Sequence, residues 1–248
     1  MKETIMIRTI LFLLFAIAFL ILGLPVLGAE WLLRKVWKRG ADLSTLRIVQ
    51  WGLRTLEHIS GPEVIVRGME HIPTDQAVLY IGNHRSYFDI VLSYSRCPGL
   101  TGYISKDLLE KVPILRAWMR RVYCLFLNRE DPRQGLKTIL TAIEYVKSGV
   151  SIFIFPEGTR AKTDEMLPFK EGSFKVATKT GCPIIPVAFT NTSAIFEDHV
   201  PFIRKARVVI TYGEPILPSE LAPEQKKHIG AYVQGIIADM LKENEKYL

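Results

Sequence analysis

Residues 122–155 read VYCLFLNREDPRQGLKTILTAIEYVKSGVSIFIF, and two periodicities alternate within them. Val122 to Leu127 is a short β-rich run. Asp131 can cap a helix that opens with Pro132, and Gln134 stands at the capping-box position. Leu136, Ile139, Leu140 and Ile143 then recur at helical spacing as one apolar face, and Gly149 supplies the stop. Val150 to Phe155 is apolar at nearly every position, as in a strand covered on both faces. Strand, amphipathic helix and buried strand make a βαβ crossover, which implies parallel strands.

Working outward, the same alternation continues. Val64 to Val66, Ala77 to Ile81, Ile184 to Phe189 and Val208 to Tyr212 read as strands between helical patterns. A last long helix is expected over about 224–247, with Ile229, Val233, Ile236, Ile237, Met240 and Leu241 on one side. The expected class is α/β: a mixed, largely parallel sheet flanked by helices, with an N-terminal two-helix membrane anchor. A length of 248 residues suits one such domain plus an appendage. With 48% hydrophobic and 23% charged residues the chain is neither disordered nor polytopic. The division expected is 1–60 for a membrane-associated helical anchor and 61–248 for the catalytic domain.

The anchor is read from the first sixty residues. No charge interrupts the stretch between Arg8 and Glu30. About 20 apolar residues at 1.5 Å each would just cross a bilayer core of roughly 30 Å. The run also admits a signal peptide, cleaved near Val26-Leu27-Gly28, or a helix embedded without crossing and broken near Gly23-Leu24-Pro25. Three cysteines, Cys97, Cys124 and Cys182, show no disulfide pattern and fit a reducing compartment. Arg34, Lys35, Lys38 and Arg39 follow the run with Trp31 and Trp37 among them, as at a headgroup boundary. Leu43, Leu46, Val49, Leu53 and Leu56 then mark a second, amphipathic helix, lying on the membrane or docked on the domain. A net charge of +7 fits an anionic membrane surface as partner, and no nucleic-acid module is visible. The larger basic cluster lies C-terminal to the run, so the catalytic domain is expected in the cytoplasm, on the inner membrane or another cytoplasmic-facing one.

Two loops carry the chemistry. In Asn83-His84-Arg85-Ser86-Tyr87-Phe88-Asp89 a carboxylate follows a histidine by five positions, with Ser86 a plausible helix cap. Asp89 in the first helical turn can hold one imidazole nitrogen, leaving the other to accept a proton. The same residues also fit a simple cap beside a structural histidine. Phe155-Pro156-Glu157-Gly158-Thr159-Arg160 offers backbone amides freed by a glycine, a hydroxyl and a guanidinium able to grip phosphate. Arg129 and Lys106 can add charge. His84, Arg129 and Glu157 to Arg160 each follow a strand, so parallel strands would open all three loops at one carboxyl edge. No Gly-x-Ser-x-Gly elbow or catalytic-cysteine signature is present, which points to a substrate hydroxyl as the nucleophile. Metal-ligand spacing is absent too.

These motifs resemble those of the glycerolipid acyltransferase family, most of all its bacterial 1-acyl-sn-glycerol-3-phosphate acyltransferases. The family's N-H-x-x-x-x-D is matched at Asn83, His84 and Asp89, with Arg85 where many members carry Gln. Its F-P-E-G-T-R is matched throughout at Phe155 to Arg160. Cys124 to Arg129 is a looser match to the strand ending in arginine; Phe169-Lys170-Glu171-Gly172 and Pro186-Val187 also fit. The resemblance covers roughly 64–215 and implies catalytic His84 and Asp89, with Lys106, Arg129, Glu157, Gly158, Thr159 and Arg160 binding substrate. It implies lysophosphatidic acid as acceptor, acyl-CoA or acyl carrier protein as donor, phosphatidic acid as product, and no cofactor or metal. Acylation of glycerol-3-phosphate or another lysolipid, or lipid binding without catalysis, remain as other readings.

Overall fold

In the computed structural model, which describes residues 2–128 and 131–248, three helices precede the sheet: α1 (Lys2–Leu22), α2 (Leu24–Val36) and α3 (Lys38–Ser60). Then come β1 (Glu63–Arg67), β2 (Leu79–Gly82), α4 (Phe88–Tyr94), β3 (Thr101–Lys106), α5 (Pro113–Arg121), β4 (Leu125–Leu127), α6 (Pro132–Lys147) and β5 (Ser151–Ile154). The chain closes with α7 (Lys175–Thr180), β6 (Ile184–Thr190), β7 (Arg207–Tyr212), α8 (Pro223–Lys227) and α9 (Ile229–Asn244). The strands form one sheet in the order β1-β7-β6-β2-β5-β3-β4. Among the pairings of these described strands only β6–β7 is antiparallel, so the sheet is mixed and largely parallel, as the sequence suggests. β4 and β5 are indeed parallel, but β3 lies between them.

Two apolar cores cover the two faces. On one, Tyr80, Phe88, Leu92, Tyr103, Phe153 and Phe189 pack with Leu46, Val49 and Leu53 of α3. On the other, Leu79, Ile81, Ile152 and Ile154 meet α6, α7 and α9. Asp131 caps α6, its Oδ1 accepting from the Arg133 and Gln134 amides at 2.9 and 3.2 Å. Gln134 does not complete the capping box; its Oε1 accepts from Asn128 N instead. The apolar face of α6 is only half the one that the spacing indicates, since Ile139 and Ile143 pack on the core as expected and the two leucines do not. Thr138, Ala142, Ile143 and Val146 are buried, whereas Leu136 and Leu140 are exposed. The sheet-facing side carries small residues, and Thr138 Oγ1 donates to Phe126 O across it at 3.1 Å. The expected last helix is two, divided at His228.

The N-terminal region departs from a two-helix anchor in number and in placement. α3 is docked on α4 and the turn after it rather than free: Gln50 Nε2 donates to Cys97 O at 2.8 Å and Arg54 Nε to Ser95 O at 3.2 Å. Asp42 on α3 is the buried hub of an ion cluster that reaches the surface: Arg34 Nε lies at 3.0 Å, Lys38 Nζ at 3.1 Å and Arg121 Nη1 at 2.5 Å, and the Tyr123 hydroxyl donates to it. Burial pushes the Asp42 carboxyl up, but those donors outweigh it and hold it below the ordinary aspartate range. Two cations of the basic cluster therefore serve an internal carboxylate. α1 runs along the body: Ile203 N donates to Thr9 Oγ1 at 2.9 Å, Phe12 meets Phe88, and Trp118 Nε1 donates to Leu20 O at 3.2 Å. Its other side is bare, with Ile7, Ile10, Leu13, Leu14, Ile17 and Ile21 all exposed. Residues 3–22 have a mean hydropathy of up to 2.8, long and apolar enough to cross a membrane by length and composition.

Candidate active site

Every described site loop opens at one end of the parallel strands. β2 leads into His84, β5 into Glu157 to Arg160, and β3 ends on Lys106; β2 pairs directly with β5, and β5 with β3. Arg129, expected to join them after β4, lies outside the described residues. Lys106 is exposed at its strand end.

The His84 loop is held by polar contacts at each residue. Asn83 staples the end of β2 to β6, its Nδ2 donating to Phe189 O at 3.0 Å and its Oδ1 accepting from Phe189 N at 2.8 Å. His84 Nδ1 lies 2.8 Å from Asp89 Oδ2. That oxygen also accepts from the Arg85 and Ser86 amides, each at 2.8 Å. Asp89 Oδ1 accepts from Thr192 Oγ1 at 2.6 Å. The carboxylate is wholly buried, and four donors converge on it. α4 starts at Phe88, one residue later than a Ser86 cap implies, although Ser86 Oγ still accepts from Phe88 N at 3.0 Å. The imidazole stacks on Phe155 at 4.0 Å between centroids, with 14% of its side chain exposed. Nδ1 is thus committed to Asp89, and Nε2 is the nitrogen left for a substrate proton.

The second loop braces the first. Glu157 is buried; its Oε1 accepts from His84 N at 2.7 Å and its Oε2 from Leu167 N at 2.8 Å. Burial pushes this carboxyl above the ordinary glutamate range, and the two amides partly oppose that. Gly158 has φ 79°, a left-handed turn that suits glycine, and its amide donates to Phe155 O at 3.0 Å rather than standing free. Thr159 is exposed. Ala161 N donates to His84 O at 2.8 Å, a second tie between the loops. Arg160 places Cζ 3.7 Å above the Tyr87 ring, and its Nη1 donates to Glu197 Oε1 at 2.8 Å. Arg85 Nη1 donates to the exposed Asp164 at 2.7 Å.

Thr192 and Glu197 are absent from the sequence reading. Both come from the connection after β6, more than a hundred positions from His84, and no local pattern marks them. Burial pushes the Cys97 thiol up to about 11 and Cys124 up to about 12, so neither supplies thiolate at neutral pH. Among the described groups at this edge, the geometry offers a histidine oriented by a buried carboxylate, on a loop tied to the one that carries Arg160.

An acyltransferase family model matches residues 63–190. The relatives include a 1-acyl-sn-glycerol-3-phosphate acyltransferase of Borreliella burgdorferi, 31% identical over 186 residues, 74% of each chain. A chloroplastic 1-acyl-sn-glycerol-3-phosphate acyltransferase of Brassica napus is 36% identical over 131 residues, 52% of this chain. The matched stretch spans only 38% of that plant protein's length. Among solved structures, the 1-acyl-sn-glycerophosphate (LPA) acyltransferase PlsC of Thermotoga maritima superposes with a TM-score of 0.81, 25% identity and 96% coverage of both chains. The matched segment holds both chemical loops and six of the seven strands, β1 to β6. On that evidence the chain belongs to the acyltransferase family.

Proposed function

We propose that the protein transfers a fatty acyl group from an acyl thioester, acyl-CoA or acyl carrier protein, to the sn-2 hydroxyl of 1-acyl-sn-glycerol-3-phosphate, giving phosphatidic acid for phospholipid synthesis. The observation that carries this reading is the 2.8 Å contact from His84 Nδ1 to the buried Asp89, with Nε2 left over and Arg160 on the adjoining loop. Nε2 takes the hydroxyl proton as the oxygen attacks the thioester carbonyl. Collapse of the tetrahedral intermediate breaks the carbon–sulfur bond, and the imidazolium returns the proton to the leaving thiolate. General-base help of this kind contributes about 10²–10⁴-fold; positioning contributes much of the rest. Arg160, with Lys106 and Arg129, holds the phosphate, while Glu157, Gly158 and Thr159 shape that loop. No cofactor beyond the donor is needed.

A cavity of about 310 Å³ gives the acyl chain a place. Phe19, Leu20, Leu53, Tyr103 and Trp118 line it, and Tyr103 touches Phe155, the ring on which His84 stacks. The Tyr103 and Phe155 rings thus link the wall of this cavity to the base. Purified protein offered a panel of lysolipids with both donors tests the reading by thiol release. Lysophosphatidate should be the preferred acceptor. Arg160→Ala should raise its KM about 10- to 100-fold, from the roughly 1.5–3 kcal/mol of a charge-assisted contact, with a smaller effect on the donor. Preference for another headgroup would overturn the acceptor assignment, and no thiol release with any acceptor would overturn catalysis.

The anchor belongs to the same proposal. Residues 1–60 hold the catalytic domain, 61–248, on the cytoplasmic face of an anionic membrane, with α1 dipped into one leaflet rather than crossing it. The docking of α1 along the body, from Thr9 to Leu20, supports this. A single-cysteine label decides it, since all three native cysteines are buried. Glu3→Cys in intact cells should resist an impermeant thiol reagent; ready labelling would mean that the helix crosses.

A further inference from the structure

Taking lysophosphatidate as the acceptor, we infer that Glu197 is a positioning residue that fixes Arg160 for the acceptor's phosphate. Glu197 lies on a short 3-10 helix, Glu197–His199, after β6. Its carboxylate joins the two chemical loops at their outer ends. Oε1 accepts from Arg160 Nη1 and from Tyr87 N, both at 2.8 Å, and Oε2 accepts from Ser86 Oγ at 2.6 Å. Ser86 and Tyr87 belong to the loop of the general base, and Arg160 to the loop after β5.

An ordinary surface ion pair would contribute little and would leave the arginine free to sample many rotamers. The arrangement here is different in kind. Only 18% of the Glu197 side chain is exposed, and both of its oxygens are tied down by the base loop. The guanidinium is held at one edge by Glu197 and on one face by the Tyr87 ring, 3.7 Å away. Arginine presents five N–H donors in a rigid fork, so one is taken and the others stay available to a phosphate. Glu197 thus removes the conformational cost of ordering Arg160 when the lipid arrives. It also sets the distance between phosphate and base, because one carboxylate grips both loops. Glu157 ties the same loops more deeply, but among the described residues its bonds go to backbone amides.

The test is steady-state kinetics on Glu197→Gln and Glu197→Ala, alone and combined with Arg160→Ala, in the full-length protein. Glutamine keeps the size and an acceptor for Tyr87 N or Ser86, and loses the charge that orients Arg160. We expect the KM for lysophosphatidate to rise about 10-fold in Glu197→Gln, with kcat within about threefold and the donor KM unchanged. In the Arg160→Ala background the same substitutions should leave the acceptor KM where it is. Additive effects in that cycle, an equal rise in donor KM, or parental kinetics in Glu197→Gln would each overturn the inference. If Glu197→Ala unfolds, the glutamine pair of the cycle decides alone. Should the parent prefer another phosphate-bearing lysolipid, the acceptor proposed above fails, and the cycle run on that lipid still tests Glu197.

Discussion

Replacing His84 by alanine should lower kcat by about 10³- to 10⁴-fold while leaving the melting temperature and membrane recovery near those of the parent. The factor is the upper part of what a positioned base contributes, and each tenfold corresponds to about 1.4 kcal/mol of barrier. The structural expectation rests on what the side chain does not do. Its Nδ1 meets Asp89 and its ring lies on Phe155, but the loop around it is held by its backbone, the His84 amide donating to the Glu157 carboxylate and the His84 carbonyl accepting from Ala161 N. Alanine keeps those backbone bonds. Thiol release from acyl-CoA or acyl carrier protein with saturating lysophosphatidate is the measurement. A folded variant turning over within tenfold of the parent would remove His84 from the proton transfer.

Asp89→Asn is expected to be comparably severe, for two separable reasons. The first is chemical: an amide can present N–H to the imidazole, fix the wrong tautomer and leave the imidazolium without a counter-charge, an effect of order 10⁴ in the serine protease triad. The second is structural. Asp89 Oδ2 accepts from His84, Arg85 and Ser86, and Oδ1 from Thr192. An asparagine has one acceptor oxygen for this wholly buried set, so at least one donor goes unsatisfied, at about 1–3 kcal/mol. A drop of several degrees in melting temperature should therefore accompany the kinetic loss. Kinetic loss with unchanged stability would mean that the loop repacks around the amide; stability loss with retained turnover would overturn the orienting role.

Much of this architecture can be read from the chain because its strands are short apolar runs closed by turns. Ile184 to Phe189 and Ser151 to Ile154 declare themselves in that way. β3 does not: Gly102 and Ser105 break its pattern, yet a Cβ at Gly102 would come within 2.2 Å of Tyr123 O. Its glycine answers to a neighbouring backbone, which no local window contains. Leu136 and Leu140 mislead for the opposite reason. They recur at helical spacing, but the side of α6 that faces the sheet is the one with Thr138 and Ala142. In the site, His84 and Asp89 are legible because one motif holds them five positions apart, and Arg160 because a second motif ends on it. Glu157 is legible as a residue but not as a brace, because its partners are amides of His84 and Leu167. Thr192 and Glu197 reach the site only through the fold.

The wall of the apolar cavity has a practical implication. Ala16, Phe19 and Leu20 of the first helix form part of that wall, beside Trp118 and Leu53. On the function proposed above, the helix that attaches the protein to lipid would also be a wall of the cavity that takes the acyl chain, so attachment and selectivity would not be modular. Trimming the first twenty residues to obtain a soluble enzyme would strip one side from that cavity. Grafting on an unrelated hydrophobic tail would restore adhesion to vesicles without restoring the cavity. Chain-length preference should therefore follow the identity of this helix, and an engineer seeking a new fatty-acid profile has reason to begin at residues 16, 19 and 20, far in sequence from His84.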